Sequence, residues 1–185
     1  LIELVRRTDP AVVEELHNSD LTMAEVQRVL QELLAEAVPI RDIVRIIDVL
    51  SERARIARDI PFLTDAVRAA LGPSISANNS TAEGVLPVVT IDPVLEHRLA
   101  SSLRVGSTGV DFQLEPAELQ AVIQAFRQKV TEVEHRGHSP VVLTASSLRR
   151  PLHRLLALTE VNAPVLAMGE LGSQVRVETQ GLITL

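Results

Sequence analysis

One stretch of the sequence, VVLTASSLRRPLHRLLAL at residues 141–158, has the residue types of an anion-binding site. An apolar run typical of a buried strand leads into a helical pattern, and a basic cluster lies at the junction. The cluster consists of Arg149, Arg150, His153 and Arg154. The first turn of a helix has free N–H groups and the positive end of the helix dipole, and both favour an anion. One interpretation is therefore a small anion- or nucleotide-binding α/β enzyme, with anion contacts from Arg149 and Arg154.

The same stretch also has features that argue against a phosphate site. Pro151 has no N–H, so a helix that began much before Leu148 would lose a hydrogen bond. This weakens Ser146 and Ser147 as helix caps, and the junction lacks the glycine that close approach to phosphate requires. The second interpretation is a scaffold helix whose arginines pair with neighbouring carboxylates or face another protein. The pattern favours this second interpretation.

Another candidate site follows the apolar run VLPVVTI, where Asp92, Glu96 and His97 lie close together in the sequence. Ligands of open α/β sheets bind beyond the carboxyl ends of the strands. Asp92 is also a good N-cap before Pro93, and Glu96 complements the dipole of the same helix. Since no nucleophile stands beside them, we favour structural roles and predict no catalytic residue.

The remaining short motifs indicate connections rather than binding sites. EHRGHSP holds His135 and His138 with a single glutamate, which falls short of a defined set of metal ligands. RVGSTG, at residues 104–109, has two glycines three apart but not the strand and helix context of a phosphate loop. We therefore predict neither a metal nor a cofactor.

A second group of basic residues, Arg53, Arg55 and Arg58, lies at the end of a predicted helix. Cations at the C-terminal end of a helix complement its dipole, which is a structural explanation. The same cations also suit one side of an ionic interface between subunits. The sequence leaves both interpretations open.

Composition excludes several classes of function. The 185 residues carry a net charge of −6, which argues against a general nucleic-acid binder. The chain has no cysteine, and its three aromatic residues are all Phe, so thiolate chemistry and base-stacking platforms are absent. No apolar run approaches the length of a membrane span, and Leu1 lies inside a helical pattern. We therefore interpret the chain as a piece of a longer protein.

The N-terminal part is predicted to be a small helical bundle over residues 1–73. Four short amphipathic helices follow one another, and TMAEVQRVLQELLAEAV opens with a capping box of Thr22 and Glu25. Residues 74–84 are rich in Ser and Asn without apolar periodicity, and we predict a linker there.

The C-terminal part, residues 85–185, has a different pattern. Strand-like runs alternate with helical ones, which predicts a three-layer α/β domain with a mostly parallel sheet. The predicted strands are VLPVVTI, VDFQL, PVVLT, APVLAM and QVRVE. Pro116 begins a long predicted helix that ends at Gly137. The fold class is thus α plus α/β.

The order of these blocks resembles the FlhA family, the export-gate proteins of flagellar and virulence type III secretion. AEVQRVLQELLAEAVPIRDIVRIIDVL and LTDAVRAALG are similar to the helical third subdomain of the cytoplasmic part. GVLPVVTIDPVLEHRL, LEPAE, PVVLTASSLRRPLHRLL and PVLAMGEL are similar to the last subdomain, in the same order. Arg150 before Pro151 departs from the family's LRP motif, and LAMGEL departs from its LSYNEI. The LPVVTIDP form favours the flagellar branch.

The resemblance implies a protein that binds and assembles and is not an enzyme. The family has an N-terminal membrane half, and its cytoplasmic half forms a homomeric ring of nine subunits at the bacterial inner membrane. The ring receives export substrates with their chaperones and contacts other export components. The chaperone pocket lies in two subdomains that this chain lacks. On this view the candidate interaction residues are Arg53, Arg55, Arg58, Arg149, Arg150 and Arg154, and neither nucleic acid nor a cofactor is expected.

Overall fold

The computed structural model describes residues 21–106 and 109–185, which divide between two compact units, Leu1–Ile75 and Ser76–Leu185. The helices of the described residues are α1 Met23–Ala35, α2 Ile43–Ala54, α3 Ile60–Ala70, α4 Gly72–Asn78, α5 Pro93–Ser102, α6 Pro116–His135 and α7 Ser146–Leu158. The strands are β1 Val85–Ile91, β2 Leu103–Gly106, β3 Gly109–Phe112, β4 Val141–Thr144, β5 Val165–Ala167 and β6 Arg176–Ile183. A 3₁₀ turn, Met168–Glu170, follows β5. The first of the four expected helices lies in residues 1–20, outside the described residues.

The helical unit begins with the predicted capping box. The Glu25 N–H donates to the Thr22 hydroxyl at 3.2 Å, and the Thr22 N–H donates to the Glu25 carboxylate at 2.7 Å. Asp42 caps α2, so that helix begins at Ile43. The apolar stripes of the helices meet in a core of Val26, Val29, Leu33, Ile46, Ile47, Leu50, Leu63 and Val67.

A buried ion pair joins α1 to α3 in this unit, and the sequence pattern gave no sign of it. Arg68 Nη1 lies 2.8 Å from Glu36 Oε2, and the two side chains are 3% and 10% exposed. The Thr64 hydroxyl, one turn earlier, donates to Glu32 at 2.9 Å. The contact between α1 and α3 is therefore partly polar, although the sequence pattern of both helices is that of ordinary amphipathic helices.

The segment predicted as a linker is partly helical. Helix α4 covers Gly72–Asn78, and Ile75 and Ser76 within it are buried. Helix α3 ends at Ala70, just before the Gly72-Pro73 pair. A proline in the first turn also suits the start of a helix, because its missing N–H has no partner there. One dipeptide therefore ends α3 and begins α4.

The second unit contains a four-stranded sheet in the order β5-β4-β1-β6, and every neighbouring pair is parallel. This confirms the predicted α plus α/β class with a mostly parallel sheet. Strand β1 pairs with β4 from Val88 to Thr90 and with β6 along its whole length. The pairing of β1 with β6 shifts between Val88 and Val89, so Gln180 is an extra residue in β6.

Three helices pack against the core of this unit. The core combines alternate residues of the strands with the apolar stripes of α5, α6 and α7, and Phe126 at its centre is fully buried. The apolar side of α6 faces this core, because Val122, Phe126, Val130 and Val133 are all buried. This packing sets where the polar residues at the sheet's carboxyl edge can point.

VDFQL does not join the main sheet, contrary to the prediction. Strand β3 pairs antiparallel with β2, and the two form a separate two-stranded sheet. RVGSTG was predicted to be a plain connection, but Arg104–Gly106 belong to β2 and Gly109 begins β3. Pairing with the chain immediately before it requires only a short loop closure, which is entropically cheaper than insertion into a distant sheet.

Candidate functional site

The carboxyl edge of the parallel sheet, where α/β proteins hold ligands, is occupied by a carboxylate of the chain itself. Glu96 Oε1 on α5 accepts a hydrogen bond from the Thr144 hydroxyl at 2.8 Å and another from the Ala145 N–H at 2.9 Å. Thr144 ends β4 and Ala145 is the N-cap of α7. The strand–helix junction that looked suited to an external anion therefore already has an internal one.

Asp92 and His97, the other two members of this group, do not share the role of Glu96. Asp92 Oδ1 accepts from the N–H groups of Val94 at 3.0 Å and Leu95 at 3.3 Å, which confirms its role as an N-cap. His97 is exposed. The three side chains thus form no joint catalytic arrangement.

Helix α7 begins earlier than the sequence predicted. It starts at Ser146, two residues before Leu148, and holds Pro151 in its interior. Ser146 and Ser147 do not cap it, as expected, because the N-cap is Ala145 and no side chain fills that role. Pro151 cannot donate to the carbonyl of Ser147, an exposed residue at the helix start. Pro151 itself is buried, so its ring contributes to the packing that holds the helix.

The basic residues of α7 differ in exposure and partners. Arg149 is only 3% exposed, so this candidate interaction residue is buried and does not lie on the accessible surface. Arg150 is half-buried. Arg154 Nη1 lies 3.3 Å from Asp111 Oδ1 on β3, which confirms for this residue the expected pairing with a carboxylate. The same guanidinium lies over Gly109, where a Cβ atom would come within 2.8 Å of Nη1.

The second basic group lies at the C-terminal end of α2 and is exposed. Arg53, in the last turn, is 44% exposed and lies 3.9 Å from Glu52. Arg55 and Arg58 are exposed, and Ile56 between them is 67% exposed. We call these four residues, Arg53, Arg55, Ile56 and Arg58, the basic α2 end.

The electrostatic effect of the basic α2 end reaches the start of α1. Hydrogen bonds from the Thr22 N–H and hydroxyl hold the pKa of Glu25 below its ordinary value, and the nearby guanidinium groups of Arg58 and Arg28 lower that pKa further. The same cations therefore stabilise the capping box in its charged form. Arg58 serves this local role in addition to any role at a surface.

The described residues hold no cluster of three or more metal-ligating side chains, and within them no helix has the length and hydropathy to cross a membrane. His135 ends α6 and is exposed, and His138 follows in the next turn.

The partners in two of these contacts were not predicted from the sequence. Glu96 and Thr144 are 48 residues apart, and only the parallel pairing of β1 with β4 brings them together. Asp111 meets Arg154 because β3 turns back on β2 instead of entering the main sheet. The signals in the sequence were the position of Glu96 after the first strand and the basic cluster, since cations near the start of a helix favour a nearby anion.

Residues 1–176 match the FHIPEP family. The chain belongs to the FHIPEP family. This FHIPEP chain is 28% identical to the flagellar biosynthesis protein FlhA of Bacillus subtilis (strain 168) over 185 residues, which are 100% of the chain and 27% of that relative. The expected relationship to FlhA is thereby confirmed.

Solved structures agree with this family. The cryo-EM structure of nonameric EPEC SctV-C matches with a TM-score of 0.87 and 26% sequence identity. The match covers 99% of the FHIPEP chain and 55% of the solved SctV-C chain. The structure of the Chlamydia pneumoniae CdsV and CdsO protein complex matches with a TM-score of 0.86 and 26% sequence identity. The match covers 99% of the FHIPEP chain and 54% of the solved chain. The FHIPEP chain therefore spans about a quarter of the Bacillus relative and about half of the solved chains.

Proposed function

We propose that the chain is part of the cytoplasmic portion of a flagellar-type protein export gate. In this proposal the parent protein lies in the bacterial inner membrane with this chain on its cytoplasmic face, and it serves protein secretion and flagellum assembly. The chain acts by assembling and docking other proteins and makes or breaks no bond. The match to the FHIPEP family and the likeness to FlhA support this function.

The observation that carries the proposal is the basic α2 end. An apolar side chain, Ile56, is 67% exposed and has exposed arginines on either side of it in the chain. Arginine is enriched in protein–protein interfaces, and the buried core of an interface between identical subunits is more apolar than the remaining surface. The contact of Arg53 with Glu52 at 3.9 Å is long and solvated, so it leaves the Arg53 charge available to a partner.

We infer that this surface contacts a neighbouring subunit in a ring. A cyclic assembly needs two different patches on each subunit, which meet head to tail. The basic α2 end supplies a positive patch, and a chain with a net charge of −6 has carboxylates to supply the negative one. The nonameric state of EPEC SctV-C supports a ring as the assembly.

Other export components, export substrates and their chaperones would dock on this ring. The complex of the relative CdsV with CdsO supports contacts with a further protein. The internal carboxylate of Glu96 at the strand–helix junction also favours docking over small-anion chemistry, because it already holds the polar groups of Thr144 and Ala145.

The test is assembly of the whole cytoplasmic portion of the parent protein. Replacing Arg53, Arg55 and Arg58 with Glu should shift sedimentation from ring to monomer, because the patch would then repel the acidic surface of its neighbour. Arg41→Glu is the control, since Arg41 is exposed at the opposite end of α2 and its replacement makes the same type of charge change. Circular dichroism should show both variants folded.

Rings of unchanged abundance in the triple variant would overturn the ring contact. Loss of rings in the Arg41→Glu control as well would also overturn it, because the effect would then follow the net charge and not the basic α2 end.

A further inference from the structure

Strand β6 forms one edge of the main sheet, and no strand among residues 21–106 and 109–185 pairs with its outer side. It is eight residues long, and its first four side chains are exposed. The opposite edge is different, since β5 has three residues and all are buried. An exposed edge strand is a template for pairing with another chain unless something blocks it.

The backbone groups that face outward can be assigned from the pairing with β1. The Arg176 N–H donates to the Gly84 carbonyl at 3.0 Å, so the backbone groups of Arg176 point toward β1. Backbone direction alternates along a strand, so those of Val177 and Thr179 point away from β1, to the open edge. The pairing of β6 with β1 is regular up to the pair Val88 and Thr179, so the alternation holds over this part of β6.

The open edge has limits at both ends. The Val175 N–H donates to the Gly172 carbonyl at 3.1 Å, so only the carbonyl group of Val175 can take part in pairing at the open edge. On the other side, Arg136 Nη2 donates to the Gln180 carbonyl at 2.6 Å, next to the bulge in β6. The segment suited to pairing is therefore 175–179.

This segment is self-complementary about Val177. Reversing VRVET on itself places Arg176 opposite Glu178, Val175 opposite Thr179 and Val177 opposite itself. Neither Arg176 nor Glu178 forms an ion pair with another described residue, and both are exposed. The Glu178 carboxylate accepts a hydrogen bond at 3.0 Å from the amide of Gln180, which is neutral and so forms no ion pair with it. The charges of Arg176 and Glu178 are thus available for a partner of matching pattern.

We propose that two copies of this chain pair antiparallel through β6, with a two-fold axis at Val177. The Val177 residues form a hydrogen-bonded pair, which uses the N–H and C=O groups that point outward. The Thr179 N–H of each copy reaches the Val175 carbonyl of the other. Arg176 then lies opposite Glu178 of the second copy as a non-hydrogen-bonded pair, where side chains come closest, with Cα atoms about 4.5 Å apart.

Charge selects this register over its neighbours. An axis at Arg176 would place two arginines directly opposite each other, and an axis at Glu178 would do the same with two carboxylates. Like charges opposite each other destabilise a strand pair, whereas the Val177 axis creates two attractive pairs. The occupant that fits this edge is therefore a second copy of the same chain.

The contact is separate from the ring contact proposed above. A two-fold contact uses the same patch on both copies and closes on itself, so it cannot continue from subunit to subunit around a ring. Pairing of two short strands buries little area, so we expect a weak, concentration-dependent association.

The first test uses the absence of cysteine from the 185-residue chain. Val177→Cys should yield a disulfide-linked dimer under mild oxidation, because the axis brings the two Cα atoms to about 5.5 Å, within disulfide range. Leu158→Cys is the control, since Leu158 is 83% exposed but lies on α7. It should cross-link far more slowly, and equal rates for both variants would overturn the proposal.

The second test changes the charges in the Val177→Cys background. Arg176→Glu alone and Glu178→Arg alone should each slow cross-linking on the order of tenfold, because two attractive pairs become repulsive. Mixing the two variants should restore the rate, since an acidic strand then faces a basic one. Glu160→Arg, which precedes the opposite edge strand β5 and has the same charge change as Glu178→Arg, should leave the rate unchanged.

Two outcomes would overturn the proposal in this series. One is cross-linking that is insensitive to both single charge changes, and the other is a mixture that does not recover. Binding of an unrelated extended peptide along β6, with the wild-type chain monomeric at all concentrations in sedimentation, would overturn it as well. The basic α2 end is untouched in these variants, so the ring contact can fail or survive independently.

Discussion

Glu96 Oε1 lies 2.8 Å from the hydroxyl oxygen of Thr144, and this contact ties α5 to the carboxyl end of β4. The same oxygen accepts the N–H of Ala145 at 2.9 Å. Glu96 thus satisfies two donors at a junction where three elements meet. A partly buried donor that loses its acceptor costs more than the hydrogen bond itself contributes.

We predict that Glu96→Ala lowers the free energy of unfolding by about 2 to 3 kcal/mol, because it leaves two donors without an acceptor. Glu96→Gln should cost less, since its amide oxygen can still accept. Urea denaturation followed by circular dichroism measures both, with His97→Ala as the exposed neighbouring control. If the Ala and Gln variants were as stable as the wild type, Glu96 would not hold this junction together.

We predict that Thr22→Ala destabilises the chain by about 1 kcal/mol at neutral pH, as expected for loss of an N-cap. The pKa of Glu25 is lowered from 4.5 in the folded chain, chiefly by Thr22. The stability that this carboxylate contributes is fully present above its ordinary pKa and is lost as the pH falls through the lowered folded value. The difference between variant and wild type should therefore shrink in acid, which denaturation at about pH 7 and about pH 3 can measure.

A difference that stayed constant across that pH range would contradict the coupling between Thr22 and Glu25. Met23→Ala is the control, because Met23 is an exposed residue at the start of α1 and its replacement leaves both partners of the capping box in place. Its effect on stability should be the same at both pH values.

We predict that breaking the buried ion pair of Glu36 and Arg68 costs about 3 kcal/mol, because Glu36→Gln removes a charged partner of a buried guanidinium. Replacing both residues with Leu should cost less than the single change. A double-mutant cycle with thermal unfolding measures the coupling. Additive effects of the two single changes would show that the pair contributes no coupling energy.

We predict that Gly109→Ala destabilises the β2–β3 hairpin by about 1 to 3 kcal/mol. Gly109 has a φ of +126°, and a Cβ atom there would lie 2.8 Å from Arg154 Nη1. Gly169→Ala is the control, because nothing lies within 4 Å of its Cβ position. Amide hydrogen exchange of the β2–β3 pair reports the effect, and equal exchange in both variants would contradict it.

Local patterns determined much of the helical structure. The capping box of Thr22 with Glu25, the Asp92 cap and the long helix that begins at Pro116 all follow from contacts within a few residues. Such contacts can be predicted from the sequence because the partners are neighbours in the chain. The parallel sheet was also predictable, since buried apolar runs alternate with helical stripes.

The family was likewise readable from the sequence, because ordered blocks over the whole chain are specific even where each block is short. The position of Arg55 and Arg58 at the end of a helix was also predicted from the sequence. Their role was not predicted, because a helix end and an interface both favour positive charge.

Only the tertiary structure decided the rest. It buried Arg149, joined Glu36 to Arg68, turned β3 back on β2 and brought Glu96 to Thr144. In each case the partners are distant in the chain or the alternative pairings are locally equivalent, so their choice depends on which elements pack together. The sequence by itself determined the elements and the family, and the packing of those elements decided which charges are internal and which remain for a partner.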